Sequence, residues 1–197
     1  MKRILCLETE WGINSGKRLN DSASVRPMFE FIESCGYLGV TVTYRTVATR
    51  EELRYYLSQM QKSMYADFDI IYLASHGEKG HIQLYEAKEK NTFANPLSLD
   101  DLADMCSPGW LSGKAVIFGA CRTLAASEGK VRDFMEKSGT DFVARYRKKI
   151  DFTHSSLLDI GLITELVNPK PKCKSLSERM SMRYSGLMDE LGMIIYE

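Results

Sequence analysis

Two spacings of apolar residues alternate along this chain. Arg3 to Glu8 is an almost unbroken apolar run of strand length. Val25, Met28, Phe29 and Ile32 then fall at i, i+3, i+4 and i+7, one face of a helix ending near Gly36. Val40 to Val47 is β-branched and alternating, as in a strand. Thr49 with Glu52 is a capping box ahead of the helical stripe Leu53, Tyr56, Leu57 and Met60. Asp69 to Ser75 is an apolar strand ending at His76-Gly77, and a short strand from His81 to Tyr85 is expected to pair back on it. Ser98 caps a short helix carrying Leu99, Leu102 and Cys106, and Lys114 to Ala120 is a second all-apolar strand, ending at Cys121. Helix is predicted over Glu128 to Lys137, strand over Phe142 to Tyr146, and helix over Thr153 to Val167. Ser175 with Glu178 opens a last helix striped by Leu176, Met180, Tyr184, Leu187 and Leu191, and Met193 to Tyr196 closes as a strand.

Strands with no polar face, separated by amphipathic helices, imply an α/β architecture: a mostly parallel sheet covered on both sides. Ligands of such sheets bind beyond the carboxyl ends of the strands, which directs attention to the residues after Glu8, Val47, Ser75, Ala120 and Tyr146.

Composition narrows the classes. The 197 residues suit one domain, and 26 Lys+Arg against 26 Asp+Glu give no overall electrostatic reason to bind nucleic acid or anionic lipid. The apolar runs are far shorter than a membrane span, and the amino terminus reads as a core strand, not a secretory signal. Five cysteines, widely spaced and without a CxxC pair, fit a reduced cytoplasmic protein.

Two strand ends carry reactive side chains in matching positions. Asp69 to His76 and Lys114 to Cys121 each deliver one after seven residues. On neighbouring strands, ~4.8 Å apart, an imidazole and a thiol would come within reach of each other or of a common substrate. A thiolate is the nucleophile of such a pair, and an imidazole that titrates near neutrality can protonate a leaving amine. The N–H groups of Gly77 and Cys121 are candidate donors to an oxyanion. A cysteine ending an apolar strand is ordinarily a small core residue and a His-Gly pair ordinarily a turn; their joint placement at one sheet edge argues for chemistry.

Ser75-His76-Gly77-Glu78-Lys79-Gly80 after one apolar strand and Gly119-Ala120-Cys121-Arg122 after a second resemble the caspase-like cysteine peptidases, in which His also precedes Cys. Thr140 to Tyr146 resembles the strand that opens the caspase small subunit, and Gly16 to Asp21 is similar to the metacaspase segment ending in Asn-Asp. The resemblance spans Arg3 to about Val167. It implies a caspase-hemoglobinase fold, a three-layer α/β/α sandwich around a six-stranded sheet, with residues 1–197 forming a single peptidase domain. Cys121 would be the nucleophile, His76 the general acid/base, and peptide would lie across the strand tips, partly paired with the segment after Tyr146.

The specificity residues follow neither branch of the family in full. Where Asp-specific caspases have Gln two residues before the nucleophile, this chain has Gly119; one pocket arginine is matched by Arg18 and the other falls at Ser156. Asp21 matches one of the two acidic residues with which metacaspases accept Arg or Lys, and Gly119 stands at the other. A basic P1 residue is the expectation, with Asp21, Arg18, Gly119 and Tyr146 as substrate-binding positions. Glu8 and Glu10 would add negative potential there or be solvated charges.

Between Cys121 and Phe142 no long cleavable linker is present, so activation is expected from an activating protein, a small-molecule signal or homodimerisation. Arg145, Arg147, Lys148 and Lys149 read as a solvated strand end rather than a site for an acidic partner. His81 lies five residues from His76 and is expected to face the other way; with no further ligand set, no metal or cofactor is implied. His154 reads as a capping or surface residue. Two competing readings stay open: a catalytically silent caspase-like interaction module, and a flavodoxin-like or receiver-like domain, for which no Gly-rich phosphate signature follows Glu8.

Overall fold

The computed structural model describes residues 1–9, 24–78, 80–84, 96–105, 107–120, 127–168 and 174–197. Six strands form the main sheet: β1 (Lys2–Glu8), β2 (Val40–Thr46), β3 (Ile70–Ala74), β7 (Ala115–Gly119), β8 (Phe142–Tyr146) and β9 (Met193–Tyr196). Their order is β2-β1-β3-β7-β8-β9, parallel throughout except for β9, which runs antiparallel to β8. A second, three-stranded sheet holds β4 (His76–Glu78), β5 (His81–Gln83) and β6 (Leu97–Ser98), all pairings antiparallel. The helices are α1 (Arg26–Ser34), α2 (Arg50–Ser58), α3 (Leu99–Asp104), α4 (Glu128–Ser138), α5 (Phe152–Val167) and α6 (Leu176–Leu191).

Both faces of the sheet are apolar, so each needs its own helical cover. Leu5, Leu7, Ile71, Leu73, Val116, Phe118 and Val143 meet Leu53 and Leu57 of α2, Leu102 of α3, and Val131 and Phe134 of α4. The alternate residues Ile4, Cys6, Ile70, Tyr72, Ile117 and Ala144 meet Phe29 and Ile32 of α1, Leu158 and Leu162 of α5, and Met180 of α6. The result is a three-layer α/β/α sandwich, as the alternation of strand and helix patterns requires.

Local chemistry sets the helix ends. The hydroxyl of Thr49 accepts from the Glu52 N–H and the Glu52 carboxylate returns the bond, and Ser98/Asp101 and Ser175/Glu178 repeat the arrangement on α3 and α6. Gly139 ends α4 at φ 75°, where an added Cβ would stand 3.0 Å from the Gly109 Cα, so both conformation and space call for glycine. Buried Glu165 of α5 accepts from Arg179 Nε at 3.0 Å and from Arg183, fastening α6 to its neighbour.

The strand predicted over His81 to Tyr85 does not pair with the apolar strand before it. Both edges of β3 are already taken, by β1 and β7, so β5 pairs instead with β4, in the register His76↔Gln83 and Glu78↔His81.

Candidate active site

The carboxyl ends of β1, β3, β7 and β8 lie side by side. β3 and β7 pair from Ile70↔Ala115 to Ala74↔Gly119, a constant offset of 45 residues (115 − 70 = 119 − 74 = 45). His76 is two residues past Ala74 and opens β4, where Gly77 is paired with Ile82. The imidazole is half-buried, and that burial pushes its pKa below the ordinary 6.5, because desolvation penalises the imidazolium. The ring is therefore neutral at neutral pH and able to accept a proton. Cys121, Arg18, Asp21 and Glu10 lie outside the described residues, as do all of residues 121–126.

The two other proposed substrate positions have packing duties. Tyr146 is fully buried, and its hydroxyl donates to Asp159 Oδ1 at 2.7 Å. Tyr72 of β3 donates to Asp159 Oδ2 at 2.6 Å. To reach Asp159 the Tyr72 ring passes over Gly119, where an added Cβ would stand 2.2 Å from the phenol oxygen. Gly119 is thus the gap that lets the Tyr72 ring lie across β7 on this face of the sheet, and the side chain of Tyr146 faces the core. Asp159, Tyr72 and Tyr146 form a buried triad that ties α5 to β3 and β8 directly beneath the strand tips. Burial raises the Asp159 carboxyl to about 7, against the two phenol hydrogen bonds that favour its charge. Burial beside that carboxyl holds both phenols well above 10.0.

Glu8, read as a surface or pocket charge, is 2% exposed. Its carboxylate accepts from the Val25 N–H at 2.7 Å, from Ser24 Oγ at 2.7 Å and from the Tyr44 hydroxyl. It anchors the head of α1, where Val25 offers no side-chain cap of its own. Burial and the bond to Glu8 push the Tyr44 phenol up to about 12.

The remaining candidates divide. Arg145, assigned to a solvated strand end, is 2% exposed, with its guanidinium 5.2 Å from the Tyr196 ring centre and bonded to that hydroxyl; Arg147 and Lys149 are exposed. Lys148 reaches the Asp189 carbonyl at 2.5 Å. His154 is exposed, 3.0 Å from Glu190 Oε1 across α5 and α6, and Ser156 bonds the Phe152 carbonyl within α5. His81 does not turn away from His76: the hairpin reverses the chain, so positions 76, 78, 81 and 83 share one face of the ladder. Among the described residues no group of three His, Cys, Asp or Glu stands where it would hold a metal ion.

Sequence reasoning missed Asp159 and Tyr72. The available signal was a carboxylate set among Leu157, Leu158, Ile160, Leu162 and Ile163 in the apolar middle of a helix, a placement that demands a buried partner.

Comparison with known proteins supplies the context. The family model DUF6642, a family of unknown function, matches residues 1–197. No curated protein matches the chain. Among solved structures, a secreted C11 cysteine protease from Bacteroides thetaiotaomicron, in complex with an irreversible peptide inhibitor, superposes with a TM-score of 0.53 at 11% identity. The match takes in 96% of this chain and 59% of that one, so the chain spans about three fifths of the protease it resembles in fold. No helix among the described residues is long and apolar enough to cross a membrane.

Proposed function

The chain belongs to the DUF6642 family, and we propose that it is a caspase-like cysteine endopeptidase, residues 1–197 acting as one peptidase domain. One observation carries the reading: β3 and β7 are paired neighbours, and in the sequence His76 and Cys121 each follow the last paired residue of their strand, Ala74 and Gly119, by two positions. The fold shared with a cysteine protease supports the same assignment.

In this reading His76 takes the Cys121 thiol proton. The sulfur bonds to the substrate carbonyl carbon as the π pair moves to oxygen, where the N–H groups of Gly77 and Cys121 receive the charge. Collapse breaks the C–N bond, and the amine leaves with the proton held by His76. Water, losing a proton to His76, then hydrolyses the thioester, and the thiol is regenerated. A neutral, half-buried imidazole is suited to the first step because it is unprotonated before the substrate arrives. Asp21 is the proposed acidic contact for a basic P1 residue.

The test is active-site labelling. A peptidyl chloromethyl ketone ending in Arg should add once, at Cys121 by tryptic mass spectrometry, and not in Cys121→Ala or His76→Ala. A folded protein that stays unlabelled favours the interaction module. A peptide-library digest without preference for Lys or Arg at P1 removes the role given to Asp21.

A further inference from the structure

A groove of about 580 Å³ runs between α4 and β9, and arginines outnumber carboxylates in its lining. Arg132, Arg145 and Arg147 line it together with Glu128 and Glu197. Both carboxylates are engaged: Glu128 with Arg132 one helical turn away at 2.7 Å, and Glu197 with the N–H groups of Leu176 and Ser177 at the head of α6. Arg147 has no carboxylate within ion-pair distance among the described residues. Arg145 is held rigidly at the base of the groove by the Tyr196 ring and hydroxyl. Ser127, at the start of the 11-residue helix α4, also lines the groove and adds the positive end of a helix dipole.

The other wall is backbone. Residues 194–197 line the groove consecutively, and β9 is the last strand of the sheet, with β8 on one side and no strand on the other among the described residues. An unpaired strand edge accepts an added strand, whose main-chain bonds give affinity and whose side chains give selectivity.

We infer that this groove docks an extended acidic segment of a partner protein, which adds beside β9 and sets a carboxylate side chain against Arg147, with the buried charge of Arg145 beneath it. A flexible lysine cluster would attract any anion. Here Arg147 offers one exposed guanidinium fork suited to a carboxylate, and the fixed charge of Arg145, stacked on Tyr196, strengthens the field beneath it. The volume suits one side chain and a short stretch of backbone. His76 does not line the groove, and binding at β9 is read separately from labelling at Cys121, so failure of one leaves the other standing.

The probe is a fluorescein-labelled peptide of about ten residues alternating Glu with Val, long enough to span β9. It carries no basic residue and so is no substrate under the proposed specificity. Anisotropy should show the Glu peptide binding at least about tenfold tighter than its Gln counterpart, with the advantage shrinking as salt rises. Arg147→Glu, and more mildly Arg147→Ala, should weaken the Glu peptide by about tenfold or more; the exposed position leaves folding intact. Amide exchange at 194–197 should slow when the peptide is bound. Equal binding of the two peptides, no binding, insensitivity to Arg147→Glu, or unchanged exchange in β9 each overturns the inference. So does inorganic phosphate displacing the peptide at equal concentration, which would mark a small-anion site.

Discussion

Replacing Asp159 by asparagine tests the buried triad beneath the strand tips. The carboxyl is 1% exposed and titrates at about 7, against an ordinary value of 3.8. A folded-state pKa above the unfolded one means that the folded chain binds the proton more tightly. The stabilisation is therefore complete below about pH 4 and is lost as pH rises through about 7. Each pH unit in that interval is worth about 1.36 kcal/mol, so roughly 4 kcal/mol has been lost by neutral pH, because folding there must put a proton on a carboxylate that is ionised in the unfolded chain. Asp159→Asn abolishes the titration and keeps the shape. Its amide can accept from one phenol and donate to the other, so Tyr72 and Tyr146 stay in place.

Urea unfolding of the two proteins from about pH 4 to about pH 8 reads the effect directly. The stability of Asp159→Asn minus that of the native chain should climb by about 1.36 kcal/mol per pH unit and level off above about pH 7. Every other titrating group cancels in that difference. A difference that stays flat with pH would show that Asp159 is ionised in the folded state and would refute the reasoning. Because the triad reaches from β3 to β8 past Gly119, loosening at high pH should also be felt at the rim that bears His76.

Further outcomes follow from single contacts. Gly119→Ala forces its Cβ to within 2.2 Å of the Tyr72 hydroxyl and should cost about 1–3 kcal/mol in a urea midpoint; an unchanged midpoint would mean the ring does not cross there. The ring protons of His76, followed by NMR, should titrate below 6.5; a midpoint above that would show that a neighbouring charge outweighs burial. Ser175→Ala removes the cap of α6 and should lower stability by about 1 kcal/mol, and an unaltered melting curve would refute the capping box. Glu8→Ala strips the acceptor from the head of α1, leaving the Val25 N–H and the Tyr44 hydroxyl unmatched, for a loss of about 2–4 kcal/mol by calorimetry. A loss below 1 kcal/mol would return Glu8 to the class of ordinary surface charges.

The central strands were legible because β3, β7 and β8 are buried on both faces and carry few polar interruptions, and the edge strand β2 because its β-branched residues alternate. Phe142 to Tyr146 and Met193 to Tyr196 match their predicted bounds, and the capped helices begin where Thr49, Ser98 and Ser175 announce them. What a one-dimensional pattern does not contain is which strands are neighbours. The hairpin of β4 and β5 follows from β3 having no edge left, and that depends on β7, which comes some forty residues later. Tyr72 and Tyr146 converge on Asp159 for the same reason: they stand two strands apart in an order set by packing.

Charged residues were misread where a periodic position outweighs side-chain type. Arg145 lies inside a five-residue strand covered on both faces, so it had to be buried one way or the other. Its position alternates with Ala144 and Tyr146 and shares a face with Val143, which directs it toward α4. Glu8 obeys the same rule at the end of β1, where the unsatisfied head of a helix supplies the partner that water would otherwise give. Buried ionic groups at strand tips are costly, and each is held here by directed bonds to an N–H, a phenol or a guanidinium-stacking ring. That cost fixes the rim: the same bonds that compensate Glu8, Arg145 and Asp159 leave β1, β8 and α5 little freedom to shift against β3 and β7, on which the proposed chemistry depends.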